Sequence, residues 1–169
     1  MIPGLQLIEN VIDEETENQI IDGLDKEVWS NTLSRRTQHY GYEYNYRNKG
    51  VHKKAPDFPK AVQHIAHYLK QSQIIDADQC IVNEYRRNQG ISKHIDSPDF
   101  GPVVVSLSLN ADTKFIFRQY SQSIEMIVPR RSLLVLTNES RYNWTHEIPK
   151  ITTDQNYRRI SLTFRTVKK

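Results

Sequence analysis

Apolar positions recur at helical spacing in the first half of the chain and alternate with polar ones in the second. Ile20, Ile21, Leu24 and Val28 fall on one stripe behind Asp13, a residue type that caps helix N-termini, and predict a helix from about Glu14 to Val28. Val62, Ile65, Ala66 and Leu69 predict a second from about Pro59 to Lys70, with Pro59 in its first turn and His64 and His67 riding on its exposed side. Leu5 to Ile8 reads as a short strand or lead-in. Beyond Asp76 the segments Gln79 to Tyr85, Ile91 to Asp96, Val103 to Leu109, Lys114 to Arg118, Glu125 to Val128, Ser132 to Thr137, Trp144 to Ile148 and Arg159 to Arg165 are β-rich and punctuated by Gly, Pro, Asn and Asp. So many short strands predict a mainly β double-sheet jelly roll or small barrel, with the helices packed outside one sheet.

Composition narrows the class. A chain of 169 residues is expected to form one domain, without internal repeats or low-complexity linkers. Cys80, the sole cysteine, has no internal partner, so a reducing, cytoplasmic compartment is expected. No run approaches a membrane span, and Met1-Ile2-Pro3-Gly4 lacks the basic and apolar regions of a signal peptide. The net charge of +3 is modest. Its distribution is not. Between Asn31 and Ala55 stand Arg35, Arg36, Arg47, Lys49, Lys53 and Lys54 against Glu43 alone, a surplus larger than that of the whole chain. Tyr40, Tyr42, Tyr44 and Tyr46 alternate through the same stretch, where one strand face offers rings to a base and the interleaved cations neutralise phosphates. The alternative is a hairpin that packs its tyrosines on the core and leaves a solvated basic edge.

Candidate chemistry centres on His94-Ile95-Asp96. Strand parity projects His94 and Asp96 to one face, and with the later His146 they supply two imidazoles and one carboxylate, a ligand set suited to non-haem Fe(II). In Arg159-Ile160-Ser161-Leu162-Thr163-Phe164-Arg165 the same parity sets Arg159, Ser161, Thr163 and Arg165 on one face and the apolar residues on the other. Two guanidiniums about 20 Å apart along a strand span more than a five-carbon diacid, so one would grip its far carboxylate and the other support the end near the metal. Asn83 and Tyr85 share a face and offer hydrogen bonds to such a ligand. Arg158 has the opposite parity and reads as a surface charge. Taken singly, each strand is equally well a solvated face; their conjunction in one β-rich segment favours a site.

These residues resemble the AlkB-like 2-oxoglutarate and Fe(II)-dependent dioxygenases. The resemblance runs through Gln38 to Tyr44, Asn83-Glu84-Tyr85, His94-Ile95-Asp96, Val105 to Leu109, Arg131 to Leu136, Glu139 to His146 and Arg159 to Arg165. It implies a double-stranded β-helix in residues 76–169 behind helices and a substrate lid in residues 1–75, with iron on His94, Asp96 and His146. It further implies 2-oxoglutarate on Asn83, Tyr85, Arg159, Ser161 and Arg165, and dioxygen as the oxidant. Tyr42 and Tyr44, with Arg35 and Arg36, would meet the substrate.

Members that demethylate ring nitrogens of adenine and cytosine place an Asp two residues beyond the metal Asp; here Pro98 occupies that position and Asp99 follows one step late. Arg35 stands near where such members offer an aromatic under the base. The Gly41-Tyr42-Glu43-Tyr44 and Glu139 to His146 stretches are more similar to the branch that hydroxylates wobble uridines of transfer RNA. The expected partner is therefore nucleic acid, RNA ahead of DNA, with no membrane, and the expected state a monomer. The readings kept beside it are a repair demethylase of N-alkylated DNA bases, an oxygenase acting on a protein, and a catalytically silent nucleic-acid-binding module.

Overall fold

A computed structural model describes residues 1–169, the side chain of His52 excepted. Twelve strands and three helices follow one another as β1 (Leu5–Ile8), α1 (Glu14–Asp25), β2 (Arg36–Tyr40), β3 (Tyr42–Asn45), β4 (Gly50–Lys54), α2 (Lys60–Gln71), β5 (Gln79–Arg86), β6 (Ile91–His94), β7 (Val104–Leu109), β8 (Thr113–Gln119), β9 (Gln122–Val128), β10 (Leu133–Leu136), α3 (Asn138–Tyr142), β11 (Thr145–Ile148) and β12 (Arg158–Arg165). They form a six-stranded sheet in the order β1-β10-β7-β12-β5-β2, a four-stranded sheet in the order β6-β11-β8-β9, and the separate hairpin β3-β4. The jelly-roll expectation holds.

Strand parity divides the core in two. Ile160, Leu162 and Phe164 of β12 and Val82 of β5 join Val105, Leu107 and the apolar stripes of α1 and α2, so the helices cover the outer face of the large sheet. The opposite face, with Tyr85, Val104, Leu134 and Leu136, meets Phe115, Phe117 and Ile148 of the small sheet. The candidate site residues lie between the sheets, where polar side chains replace this second apolar layer toward one end.

Four local expectations change. Helix α1 stops at Asp25, where Lys26 caps it by donating to Gly23 and Leu24, and Val28 is 90% exposed instead of facing the core. The tyrosine run is not one strand: Gly41 turns the chain with φ +77°, where an added Cβ would lie 2.0 Å from the Asp78 carbonyl oxygen. Tyr40 is consequently buried in the large sheet, its hydroxyl donating to Gln38, while Tyr42 and Tyr44 belong to the hairpin. Strand β6 ends at His94, so Asp96 sits on the loop beyond it. Arg158 is not a surface charge; it pairs with Asp25 at 2.6 Å and with Glu84 at 2.8 Å, its side chain 17% exposed.

Candidate active site

The two imidazoles face each other because β11 and β6 are antiparallel neighbours in which His146 is the direct register partner of His94. Their ring centroids are 4.3 Å apart. Asp96, two residues past the strand end, completes a cluster whose ligand atoms all lie within 4.8 Å of one another. Asp96 Oδ1 is 3.6 Å from His94 Nε2 and 3.4 Å from His146 Nε2. These edges are slightly longer than the about 3 Å expected between adjacent ligand atoms held about 2.1 Å from a first-row ion. Small movements inward close them around a metal.

The charges of the cluster suit a cation. Asp96 Oδ2 accepts from Arg165 Nε at 2.6 Å, while Oδ1 is buried without a hydrogen-bond partner among the described residues. A buried carboxylate oxygen left open between two imidazole nitrogens is the acceptor that a metal would satisfy. Burial pushes the Asp96 carboxyl up, but Arg165, His146 and His94 outweigh it and hold the group well below the usual carboxylate range. Burial also lowers His146 to about 4, against the opposing pull of Asp96, so its ring is neutral and free to ligate at physiological pH. Ser92 fixes the other ring: its carbonyl lies 2.8 Å from His94 Nδ1, which leaves Nε2 unprotonated toward the cluster when Nδ1 donates.

Behind the cluster lies a narrow cavity of about 60 Å³ lined by Asn83, Tyr85, Ser106, Arg159, Ser161, Thr163 and Arg165 together with His94, Asp96 and His146. Arg159 is its most telling residue. It is 1% exposed, donates through Nη2 to Ser108 Oγ at 2.8 Å, and leaves Nε and Nη1 buried with no partner among the described residues. Burial lowers its pKa, with Tyr85 and Tyr157 opposing, and no carboxylate pairs with it among the described residues. A buried guanidinium with two open donors is built to receive an anion from outside the chain. Asn83 accepts from Arg35 Nε at 2.9 Å, which turns its amide donors free for the cavity.

A wider cleft of about 490 Å³ opens over the cluster and shares Asn83, His94, Asp96 and Arg165 with the inner cavity. Its walls include Leu33, Arg35, Tyr44, Tyr46, Lys49, Lys93, Ile95 and Phe100. Tyr44 stacks obliquely on Phe100 at 5.9 Å and edge-on to Tyr46 at 5.0 Å. Hairpin β3-β4 is tied down at the metal-side loop, because Ser97 Oγ donates to Lys49 O and Asp99 Oδ2 accepts from Val51 N at 3.0 Å.

The sequence of residues 4–165 matches the 2OG-Fe(II) oxygenase superfamily. The chain belongs to that superfamily. Within it the chain is AlkB-like. Over 161 residues, 86% of this chain, it is 37% identical to the tRNA (carboxymethyluridine(34)-5-O)-methyltransferase ALKBH8 of Macaca fascicularis, of which it covers 24%. Over 204 aligned positions and 99% of this chain it is 33% identical to the Alkylated DNA repair protein ALKBH8 homolog of Arabidopsis thaliana, of which it covers 59%. The solved structure of OsALKBH1 superposes with a TM-score of 0.74 at 17% identity, covering 98% of both chains, and shares the fold. The chain thus spans about a quarter of the length of the first relative and about three fifths of the second.

As a 2OG-Fe(II) oxygenase it is a dioxygenase that uses Fe(II), 2-oxoglutarate and dioxygen, and its chain supplies a donor set that fits both metal and co-substrate. The predicted residues fall unevenly around the two cavities. His94, Asp96, His146, Asn83, Tyr85, Arg159, Ser161 and Arg165 converge on the inner one, and Arg35 and Tyr44 on the outer. Two do not reach either. Arg36, one residue out of phase with Arg35, points its guanidinium at Glu84 through two 2.8 Å bonds and lies 4.8 Å over Trp29. Tyr42 packs beside Lys54, 5.8 Å from its ammonium, and lines no part of the cleft. Sequence reasoning placed Tyr46 and Lys49 in the basic tyrosine-rich stretch without naming them as site residues, and it missed Lys93 and Phe100 as cleft residues and Ser108 as the support of Arg159. The alternating tyrosines signalled the first; Lys93, on β6, and Phe100, in the loop beyond it, carried no signal that set them apart from their neighbours.

Proposed function

We propose that this oxygenase oxidises a modified base in nucleic acid, RNA ahead of DNA, with iron held by His94, Asp96 and His146. The observation that carries the reading is the outer cleft, which joins aromatic rings from Tyr44 and Tyr46 to cations from Arg35, Lys49 and Lys93 directly above the cluster. Rings take bases by stacking and the cations take phosphates, with affinity that falls as salt rises. A relative named for transfer-RNA modification supports RNA.

In this reading Arg159 receives the far carboxylate of 2-oxoglutarate, supported by Ser108, Ser161 and the amide of Asn83. Arg165 steadies Asp96 and the near carboxylate at once. Held by these residues, iron would supply the family's oxidative chemistry, in which 2-oxoglutarate and dioxygen give succinate, carbon dioxide and one oxygen atom for a substrate C–H bond. An N-methyl so hydroxylated is lost as formaldehyde; on a carbon substituent the hydroxyl stays.

A second reading, repair of alkylated DNA bases, draws on the name of the Arabidopsis relative. Against it, Pro98 occupies the position of an amine reader, and the Asp99 carboxylate is engaged by Val51 N. The deciding experiment incubates the protein with iron, ascorbate and 2-oxoglutarate on transfer RNA and on methylated DNA, and follows nucleosides by mass spectrometry. A hydroxylated nucleoside from the RNA alone is expected. Formaldehyde and restored bases from DNA favour repair, and succinate without any nucleoside change overturns the nucleic-acid reading.

A further inference from the structure

Asp96 owes its position to backbone that belongs to no strand. Since β6 ends at His94, the carbonyls that follow lack ladder partners, and buried carbonyls require donors from elsewhere. Backbone amides reach two of them, Phe100 N donating to Ser97 O at 3.1 Å and Lys168 N to Asp99 O at 2.9 Å, and one side chain gathers four. Arg141 of α3, 2% exposed, donates through Nη1 to Asp96 O at 3.0 Å, through Nη2 to Ser97 O at 2.9 Å and Phe100 O at 3.2 Å, and through Nε to Gly101 O at 3.0 Å. Among the described residues no carboxylate forms an ion pair with this guanidinium; the ring of Tyr142 covers it at 4.6 Å. The same short helix leads within five residues into His146, whose strand pairs with His94. Arg141 thus joins the segment bearing one ligand of the cluster to the loop bearing another.

We propose that Arg141 is a positioning residue of the metal centre, holding the Asp96 loop so that Oδ1 faces both imidazoles; this rests on the reading of His94, Asp96 and His146 as metal ligands. The function depends on shape as well as charge. A planar fork with five N–H donors can close four carbonyls lying around it, whereas an ammonium has three donors and no fixed plane. Loss of the fork leaves the carbonyls of Asp96, Phe100 and Gly101 without that donor, while Ser97 O keeps Phe100 N, and the loop relaxes to seek other donors, carrying Asp96 with it.

The test titrates Mn(II) into the full chain as a probe of the site, read by electron paramagnetic resonance and calorimetry, beside unfolding midpoints measured in chelator. Asp96→Ala should abolish high-affinity Mn(II) binding; native-like binding by that variant would overturn the ligand assignment, and the proposal with it. Given that control, Arg141→Lys should weaken Mn(II) binding about 10–100-fold and alter the resonance spectrum, the range typical for residues that orient ligands. Tyr142→Ala, at a 42% exposed position, strips the ring from the guanidinium and should weaken binding in the same direction to a smaller extent. A folded Arg141→Lys chain with native Mn(II) affinity and only a lowered unfolding midpoint would assign Arg141 to stability and overturn the proposal. If Arg141→Lys fails to fold, unchanged Mn(II) affinity in Tyr142→Ala overturns it equally.

Discussion

Asp96 divides its two carboxylate oxygens between different tasks, Oδ2 fixed by Arg165 and Oδ1 left open toward the imidazoles. Removing either imidazole or the carboxylate should therefore abolish succinate formation. His94→Ala, Asp96→Ala and His146→Ala are expected to keep the far-ultraviolet dichroism of the native chain while losing turnover; turnover retained in any of them would remove that residue from the metal site. Arg159 has the opposite character, an occupied Nη2 and two idle donors. A bond from a charged donor is worth about 1.5–3 kcal/mol, so Arg159→Ala should raise the apparent KM for 2-oxoglutarate about tenfold or more with a smaller effect on metal affinity. An unchanged KM would move co-substrate binding elsewhere.

Among the elements, β12 was fully legible in the sequence because its parity is strict over eight residues and one face had to pack: Ile160, Leu162 and Phe164 are all buried against the helices. Parity was right for Arg158 too, yet its environment was not, since Glu84 and Asp25 reach it only through tertiary packing. Helix α3 spans five residues, too few for a 3.6 period to register, and its Thr137–Ser140 capping box lay inside what reads as a strand end. The His94-Ile95-Asp96 geometry converged despite the strand ending early, because the loop beyond is held in shape by bonds from a distant segment. Hairpin β3-β4 lines the outer cleft, the substrate side in the function proposed above. Replacing Tyr44 and Tyr46 by Ala should reduce nucleic-acid-dependent turnover about tenfold while sparing uncoupled 2-oxoglutarate decarboxylation, given about 1–3 kcal/mol per stacked base. Parallel loss of both activities would assign the rings to the core.

Across the whole molecule one acidic residue fastens four elements. Glu84 of β5, its side chain 2% exposed, accepts from Arg36 of β2 and Arg158 of β12, and Arg158 continues to Asp25 of α1. Burial alone would raise the Glu84 carboxyl, but hydrogen bonds from Arg36 and Arg158 bring it down to about 2. A folded value below the ordinary 4.5 means that the unfolded chain binds the extra proton, so this stabilisation is complete above that value and is lost as pH falls toward 2. Glu84→Gln should cost about 3 kcal/mol at pH 7 and flatten the fall in stability between those limits. Chemical denaturation across that range measures it, and an unaltered pH slope would refute the assignment. The cations of the cleft act at the same scale. Each phosphate contact on a single strand contributes about 0.7 to the logarithmic salt slope, so Lys49→Ala with Lys93→Ala should lower it by about 1.4 for an RNA oligonucleotide. A slope equal to the native one would place the phosphates elsewhere.

The hairpin is bonded to the loop behind Asp96 at two backbone positions, Lys49 and Val51, and by the contact of Tyr44 with Phe100. If the hairpin meets substrate as proposed, its preference is consequently not carried by the hairpin alone. A chimaera that imports residues 41–55 from a relative keeps the bonds of Ser97 and Asp99 only where its backbone holds the same register, and it must also present a ring to Phe100, so any mismatch falls on the loop that carries Asp96. The inheritable unit is two pieces of chain, far apart in sequence, that must be exchanged together.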